Sequence, residues 1–217
     1  MRPAGLGPRW STIGYFSVLA LLAAAVFAPS IRIGFIEDDF GYFARTLSPG
    51  WWYDLDLWDF SGQVLRPVTA IAIGIQLEIF GFHPLPFHLV ALALVLTQGA
   101  LVHLVARRLG LGSFGAKASA AVSVLPPPSG WTLMWTASTS SLYSVILALG
   151  CIALVATERV GRRALAAAAA LLAVALLARE IAIMVPAIAV LVRAHFGDGG
   201  AWNRARRGAK EIWALWA

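Results

Sequence analysis

Residues 12–43 read TIGYFSVLALLAAAVFAPSIRIGFIEDDFGYF, and the rest of the chain is organised around them. Residues 12–29 are mainly apolar, and a stretch of this length is just sufficient for a helix to cross a bilayer. Three consecutive acids, Glu37, Asp38 and Asp39, follow among aromatic side chains. Because neighbouring carboxylates repel one another, such a cluster is kept mainly where water, a metal or a cationic partner compensates its charge. The stretch therefore predicts a membrane enzyme whose working site begins just after its first span.

The composition indicates the same class. Of the 217 residues, 59% are hydrophobic and 13% are charged, and the mean hydropathy is +0.76. A soluble domain of this length needs much less apolar surface, so we predict an all-α, polytopic helical bundle that forms one transmembrane domain over residues 1–217. The single Cys151 excludes an internal disulfide and a cysteine-based metal site. The net charge of +6 does not indicate a nucleic-acid partner, since the basic residues fall in short clusters between apolar runs.

The apolar runs predict about six spans with one large loop. The predicted spans are residues 12–29, 84–106, 116–127, 142–157, 164–178 and 181–192. The span at 164–178 is rich in alanine and suits close helix packing. Residues 30–83 form an acid-rich loop, and the aromatic residues at 51–53 and 58 suggest that it rests on the membrane surface.

Residues 67–82 are apolar but short for a span, and the distribution of charge decides their placement. If they lie at the interface, 13 of the 17 basic residues fall on the cytoplasmic side, and eight of the 11 acids fall outside. If they cross, 14 of the 17 basic residues fall outside, against the positive-inside rule. We therefore predict a juxtamembrane or re-entrant helix that begins at Pro67.

The orientation follows from the start of the chain. Arg2 and Arg9 precede the first span and predict a cytoplasmic N-terminus and an external first loop. A cleaved signal peptide is the competing interpretation, because Val26 and Ala28 are small enough for a cleavage site. Pro29 directly after them argues against cleavage.

Several residues of the external side have the chemistry of a site. A carboxylate among Glu37, Asp38 and Asp39 could act as a general base toward a hydroxyl or amine, or help to hold a divalent cation, and solvated loop acids are the alternative. The aromatic residues at 35, 40, 42 and 43 fit a lipid-facing rim or ordinary interfacial anchors. Arg66 and Arg179 could bind a phosphate, and the alternatives are an interfacial anchor for Arg66 and a self-neutralised hairpin tip for Arg179 with Glu180. His83 and His88 fit turn or interface residues better than metal ligands.

The order of these features resembles the N-terminal half of GT-C fold glycosyltransferases. The resemblance rests on the external acids, on Arg66-Pro67, on IFGFHPLPFHLV at 79–90, on VARRLG at 105–110 and on LLARE at 176–180. It is closest to the protein O-mannosyltransferase-like family 39 and related bacterial enzymes. These enzymes transfer a sugar from a polyprenyl-phosphate carrier to an acceptor on the external face. The resemblance thus implies a hexosyltransferase of the bacterial inner membrane, with a protein, lipid or glycan as acceptor.

The resemblance also implies a role for each candidate residue. The catalytic base falls on Asp38 with Asp39 as its neighbour, although Glu37 leaves a register open in which Asp39 holds the role. The contact with the carrier phosphate falls on Arg66, and the pair before the last span falls on Arg179 and Glu180, with Arg in place of the commoner Lys. No cofactor is implied beyond an optional divalent cation.

Two expectations compete with an active transferase. Family members usually have later spans and a soluble region, so we expect that the chain is the N-terminal part of a longer protein and could be inactive without the rest. The alternative function is a non-catalytic membrane scaffold or a small transporter subunit. The transporter predicts charged residues in the middle of the spans, where this sequence has few.

Overall fold

The computed structural model of the protein describes residues 12–47, 66–125, 135–197 and 200–213, and every regular element within them is a helix. The all-α class is therefore confirmed for this part of the chain. The α-helices are α1 (Thr12–Phe27), α2 (Glu37–Leu47), α3 (Pro67–Phe80), α4 (Pro84–Arg108), α5 (Ser113–Val124), α6 (Thr139–Val155), α7 (Arg162–Ala178), α8 (Val185–His195) and α9 (Ala201–Glu211). Short 3-10 helices occupy Ala28–Arg32, Thr136–Ser138 and Glu180–Met184.

Among the described residues, three helical segments are long and apolar enough to cross a membrane. They are Thr12–Ser30, Pro84–Arg108 and Thr136–Val155, and they correspond to three of the predicted spans. Large apolar side chains such as Leu21 are exposed on their outer faces, as expected for a protein surrounded by lipid. The other three predicted spans correspond to α5, α7 and α8, which have 12, 17 and 11 residues. Alone, each is shorter than the roughly 20 residues of a typical span.

The helix ends lie in two groups, and contacts between distant residues define the first of them. The His88 ring nitrogen Nε2 lies 2.9 Å from the carbonyl oxygen of Ile33, so the end of α1 meets the start of α4. Arg179 donates to the hydroxyl of Ser140 at 3.2 Å, so the end of α7 meets the start of α6. We call this group the α2 end of the protein, because α2 packs there.

The opposite group of helix ends is the α9 end. The Tyr15 hydroxyl donates to the carbonyl oxygen of Lys117 at 2.5 Å, which joins the starts of α1 and α5. Arg108 donates to the carbonyl oxygen of Ala153, and Arg193 donates to backbone carbonyls just beyond it. The ends of α4, α6 and α8 therefore meet. Since α8 ends where α6 ends, the chain reverses direction between α7 and α8.

Helix α3 begins at Pro67, as predicted, and both of its ends contact the α2 end. The Thr69 hydroxyl donates to the carbonyl oxygen of Ala178, the last residue of α7, at 3.2 Å. At the other terminus the rings of Phe80 and Phe87 lie 6.1 Å apart, at the start of α4. Helix α3 therefore lies across one end of the bundle.

Small residues line the contact between α6 and α7, the most extensive helix pair of the fold. Ala168 and Ala175 of α7 have no solvent exposure, and neither has Cys151 of α6. Leu172 and the helix α8 residue Val185 complete the same core. The alanine-rich segment therefore packs closely, as the sequence predicts, because alanine lets helix backbones approach.

Aromatic rings join α2, α3 and α4. Phe43 is 2% exposed and Phe87 is 1% exposed. The Phe35 ring contacts both edge-on, with centroid distances of 4.6 Å to Phe43 and 5.2 Å to Phe87. The prediction of a lipid-facing rim is therefore wrong for Phe43, since edge-to-face packing in a shared core holds it inside. Phe40 is 55% exposed and does face outward.

A glycine lets α4 and α5 approach, and its substitution tests the packing. A Cβ atom at Gly99 would lie 2.5 Å from Cγ2 of Val124, a stiff β-branched side chain with no exposure. We expect Gly99→Ala to lower the unfolding temperature in detergent, because an overlap cost of about 1–3 kcal/mol exceeds the gain in helix propensity. Reaction of the buried Cys151 thiol with a fluorogenic dye reports unfolding.

Gly115→Ala is the matched control, because its Cβ would meet only Leu111 at an ordinary 3.5 Å. The control should unfold at or slightly above the temperature of the parent. Equal unfolding temperatures for both variants would contradict the close approach of α4 and α5.

Candidate functional site

Asp39 fixes the start of α2. It is the third residue of the helix, and its Oδ2 accepts a hydrogen bond at 3.0 Å from the backbone N–H of Ile36, the residue just before the helix. This is the return half of a capping box, in which an acid at the third position satisfies a free backbone donor. The acid cluster therefore folds as a helix start.

The other oxygen of Asp39 reaches across the protein. Oδ1 accepts a hydrogen bond at 2.6 Å from the backbone N–H of Ala137, in the 3-10 helix that precedes α6. Asp39 is 1% exposed, and its burial raises the pKa of the carboxyl group above its ordinary value. Backbone N–H groups of Ile36, Ala137 and Thr136 and the nearby His88 oppose that shift only in part. The hydrogen bonds of Asp39 thus join the first loop to the 3-10 helix before α6.

For the other two acids of the cluster, the structure describes the backbone and not the side chains. Glu37 and Asp38 occupy the first two positions of α2, and their side chains lie outside the described part of the structure. Among the described side chains, no three His, Cys, Asp or Glu residues gather in a way that would hold a metal ion. A cation site that involves Glu37 and Asp38 stays a prediction.

Arg66 lies immediately before α3. Pro67 begins the helix, and a proline disfavours the helical conformation in the residue before it, which leaves Arg66 outside the helical turn. Its guanidinium donates through Nη2 to Oε1 of Glu180 at 3.1 Å. The Arg66 side chain is 17% exposed, whereas that of Glu180 is 67% exposed. Arg66 therefore bridges the first loop to the turn after α7.

Arg179 lies between α7 and the following 3-10 helix, and its backbone is extended. Its Nη1 donates to the hydroxyl oxygens of Ser140 and Ser141 on α6. In the same contact the Ser144 hydroxyl donates to the backbone carbonyl of Arg179 at 3.3 Å. Two successive turns of α6 therefore hold this single residue by its side chain and by its backbone.

Glu180 pairs with Arg66, which lies 114 residues away in the sequence. The pKa of Glu180 lies below its ordinary value, because the carboxylate accepts from its own backbone N–H and lies near Arg66 and Arg179. The self-neutralised hairpin tip, in which Arg179 and Glu180 pair with each other, is not what the hydrogen bonds show. Arg66 instead binds the exposed carboxylate of Glu180, while the Arg179 guanidinium binds hydroxyl groups of α6.

The structure brings the described candidates together at the α2 end. Asp39 contacts Ala137 and Arg179 contacts Ser140. Both therefore bind the first turns of the helical segment that begins at Thr136 and continues as α6. Arg66 joins them through Glu180. This end thus carries two arginines, an exposed carboxylate and the start of α2.

Hydroxyl groups on α6 also belong to the site, and the sequence analysis missed them. Ser140 and Ser144 have no exposure, and they lie one turn apart on the α6 face that Arg179 contacts. The predicted span began at residue 142, which excluded the polar run TASTSS at 136–141. That run at the entrance of an apolar segment was the available signal.

No known protein family, curated protein or solved structure matches this chain.

Replacing Asp39 tests whether its carboxylate holds the first loop against the 3-10 helix before α6. Asp39→Ala leaves the N–H groups of Ile36 and Ala137 without their acceptor in a buried place, and we expect a loss of about 2–4 kcal/mol of stability. Asp39→Asn should lose less, because one amide oxygen remains as an acceptor. The unfolding temperature from dye labelling of Cys151 measures both.

Glu78→Ala is the control, because it removes the same charge from an exposed position on α3. It should unfold at the temperature of the parent. If Asp39→Ala unfolds no earlier than Glu78→Ala, the carboxylate does not hold the two segments together.

Proposed function

We propose that the chain is the membrane-embedded part of an inverting glycosyltransferase that moves a sugar from a polyprenyl-phosphate carrier to an acceptor. The observation that carries the proposal is the meeting of Arg66, Arg179 and Glu180 with the start of α2 at one end of the protein. Arg66 and Glu180 are 114 positions apart in the sequence, and the resemblance assigns a donor-phosphate site to Arg66, Arg179 and Glu180.

Asp38 is the better choice for the general base. Asp39 is buried, and both of its oxygens accept backbone hydrogen bonds, so it has little freedom to take a proton from an acceptor. In this proposal Asp38 takes the proton of the acceptor hydroxyl while Asp39 holds α2 in position. The burial of Asp39 supports the register in which Asp38 is the base.

The transfer step has a defined balance of bonds and charge. The acceptor oxygen forms a bond to the anomeric carbon as its proton passes to Asp38. The bond between that carbon and the phosphate oxygen breaks on the opposite face, and its electron pair stays on the phosphate. Because the departing polyprenyl phosphate gains negative charge, Arg66 and Arg179 stabilise the transition state more than the bound donor.

The ion pair of Arg66 and Glu180 suits a site that exchanges one anion for another. Glu180 is largely exposed, and exposed pairs contribute only about 0–1 kcal/mol, so a donor phosphate displaces the carboxylate at little cost. Arg179 is already held by hydroxyl groups of α6 and needs little reorganisation to bind a phosphate. Before the donor binds, Glu180 holds the Arg66 guanidinium in position.

The finer topology belongs to the same proposal. We infer six spans in a bacterial inner membrane, with the N-terminus in the cytoplasm and the α2 end outside. The position of both ends of α3 at the α2 end supports an interfacial α3, and with it the sidedness that the basic residues favour. Helices α5, α7 and α8 would complete the bundle.

Donor binding tests the phosphate site without requiring turnover. The full chain in neutral nanodiscs is titrated with a fluorescent polyprenyl phosphate. We expect Arg66→Gln and Arg179→Gln each to weaken binding about tenfold to a hundredfold, because each removes a charge-assisted hydrogen bond. Arg179→Lys should fall between the parent and Arg179→Gln.

Arg32→Gln is the control for the general field, because Arg32 is exposed in the 3-10 helix at the same end. It should change binding little at physiological salt. An equal loss in Arg32→Gln would mean that net charge, and not a phosphate site, binds the carrier.

Transfer tests the base. The full chain in liposomes receives labelled polyprenyl-phosphate mannose and a hydroxyl acceptor. Asp38→Asn should lower the rate by about 10²–10⁴-fold while donor binding and the unfolding temperature stay at parental values. Undiminished transfer in Asp38→Asn removes the catalytic role. Failure of the parent both to bind and to transfer would favour the non-catalytic scaffold.

A further inference from the structure

Helix α9 presents a stripe of tryptophan and basic side chains to the surroundings. Trp202, Arg206 and Lys210 follow one another at four-residue spacing, and Trp213 comes three residues later. At 100° per residue the first three positions fall within about 80° of one another around α9, and Trp213 follows in the turn just after the helix. All four side chains are exposed, Trp202 by 78% and Trp213 by 64%.

The opposite face of α9 is fixed against α8. Gly208 is buried, and a Cβ atom there would lie 2.9 Å from Cβ of Arg193 and 3.0 Å from the carbonyl oxygen of Val190. Ile212 has no exposure, and Nε of Arg193 donates to Glu211 at 2.7 Å. Since this face cannot turn away, the stripe is held outward.

The position of α9 relative to the end of α6 indicates which part of the surroundings the stripe contacts. Arg193, which anchors α9, also donates to backbone carbonyls of Val155 and Glu158 at the end of α6. The segment Thr136–Val155 is one of the three that could span a membrane, so α9 lies at the level where such a span leaves the bilayer. At that level tryptophan rings sit among lipid headgroups, and arginine and lysine contact their phosphates.

We infer that the stripe of Trp202, Arg206, Lys210 and Trp213 is a binding surface for anionic phospholipid headgroups. The two cations match the charge of a phosphatidylglycerol surface, and the two tryptophans hold the helix at headgroup depth. The inference rests on the membrane class of the protein and is independent of sugar transfer. It gives the α9 end a lipid preference of its own.

Lipid retention tests this surface on the full chain. The protein is purified in neutral detergent with equal amounts of phosphatidylglycerol and phosphatidylcholine, and native mass spectrometry counts the lipids retained. Arg206→Gln with Lys210→Gln should lower the preference for phosphatidylglycerol about fivefold for each cation removed. Added salt should weaken the preference of the parent in the same direction.

Arg162→Gln with Arg163→Gln is the matched control. These two exposed arginines begin α7 at the same end of the protein, and the neighbouring sequence has no tryptophan. An equal loss in the control would overturn the inference, because any basic pair would then serve. Preferential binding of a short DNA duplex over phosphatidylglycerol vesicles would overturn it as well.

A second readout keeps the test independent of folding defects. The full chain is placed in nanodiscs that contain lipids brominated near the headgroup, which quench nearby tryptophans. Trp202→Phe with Trp213→Phe should remove part of the quenching at an unchanged unfolding temperature. Unchanged quenching in that variant would place α9 away from the lipid surface.

Discussion

The carboxylate of Asp39 joins two segments that lie 98 residues apart. A buried carboxylate is costly unless donors surround it, and here one oxygen binds the start of α2 while the other binds the 3-10 helix before α6. The α2 end depends on this bond, because it sets the first loop against the helix that also receives Arg179. Because Asp39 fixes the start of α2, it also positions its neighbour Asp38, the proposed base.

Charged residues bind free backbone groups at both ends of helix α6, whereas Arg179 at its beginning binds side-chain hydroxyl groups. An acid accepts backbone N–H groups at its beginning, where the helix dipole is positive. Arg108 and Arg193 donate to carbonyls at its end, where the dipole is negative. The hydrogen bonds that pair these free backbone groups therefore also connect α2, α4 and α8 to α6. Several long-range polar contacts among the described residues involve this helix or the 3-10 helix before it.

The two ends of the protein differ in the chemistry of their exposed residues. At the α2 end, arginines lie close to an exposed carboxylate and to hydroxyl groups, which suits exchangeable binding of a phosphate. At the α9 end, an exposed arginine and lysine lie between two exposed tryptophans along α9 and the turn after it, which suits a lipid surface. Both proposals use phosphate recognition, but one needs a pocket between segments and the other needs only a stripe on one helix.

Four features could be predicted from the residues alone: the helical class, the apolar segments that fit a bilayer, the start of α3 at Pro67 and the close packing of the alanine-rich α7. These features depend on local composition, on periodicity and on the rigid ring of proline. Three-dimensional packing was needed to show that Asp39 is buried, that Glu180 pairs with Arg66 and that Ser140 and Ser144 hold Arg179. Whether an acid is solvated or buried depends on a segment about a hundred residues away, and neighbouring acids in a sequence carry no local mark of that difference.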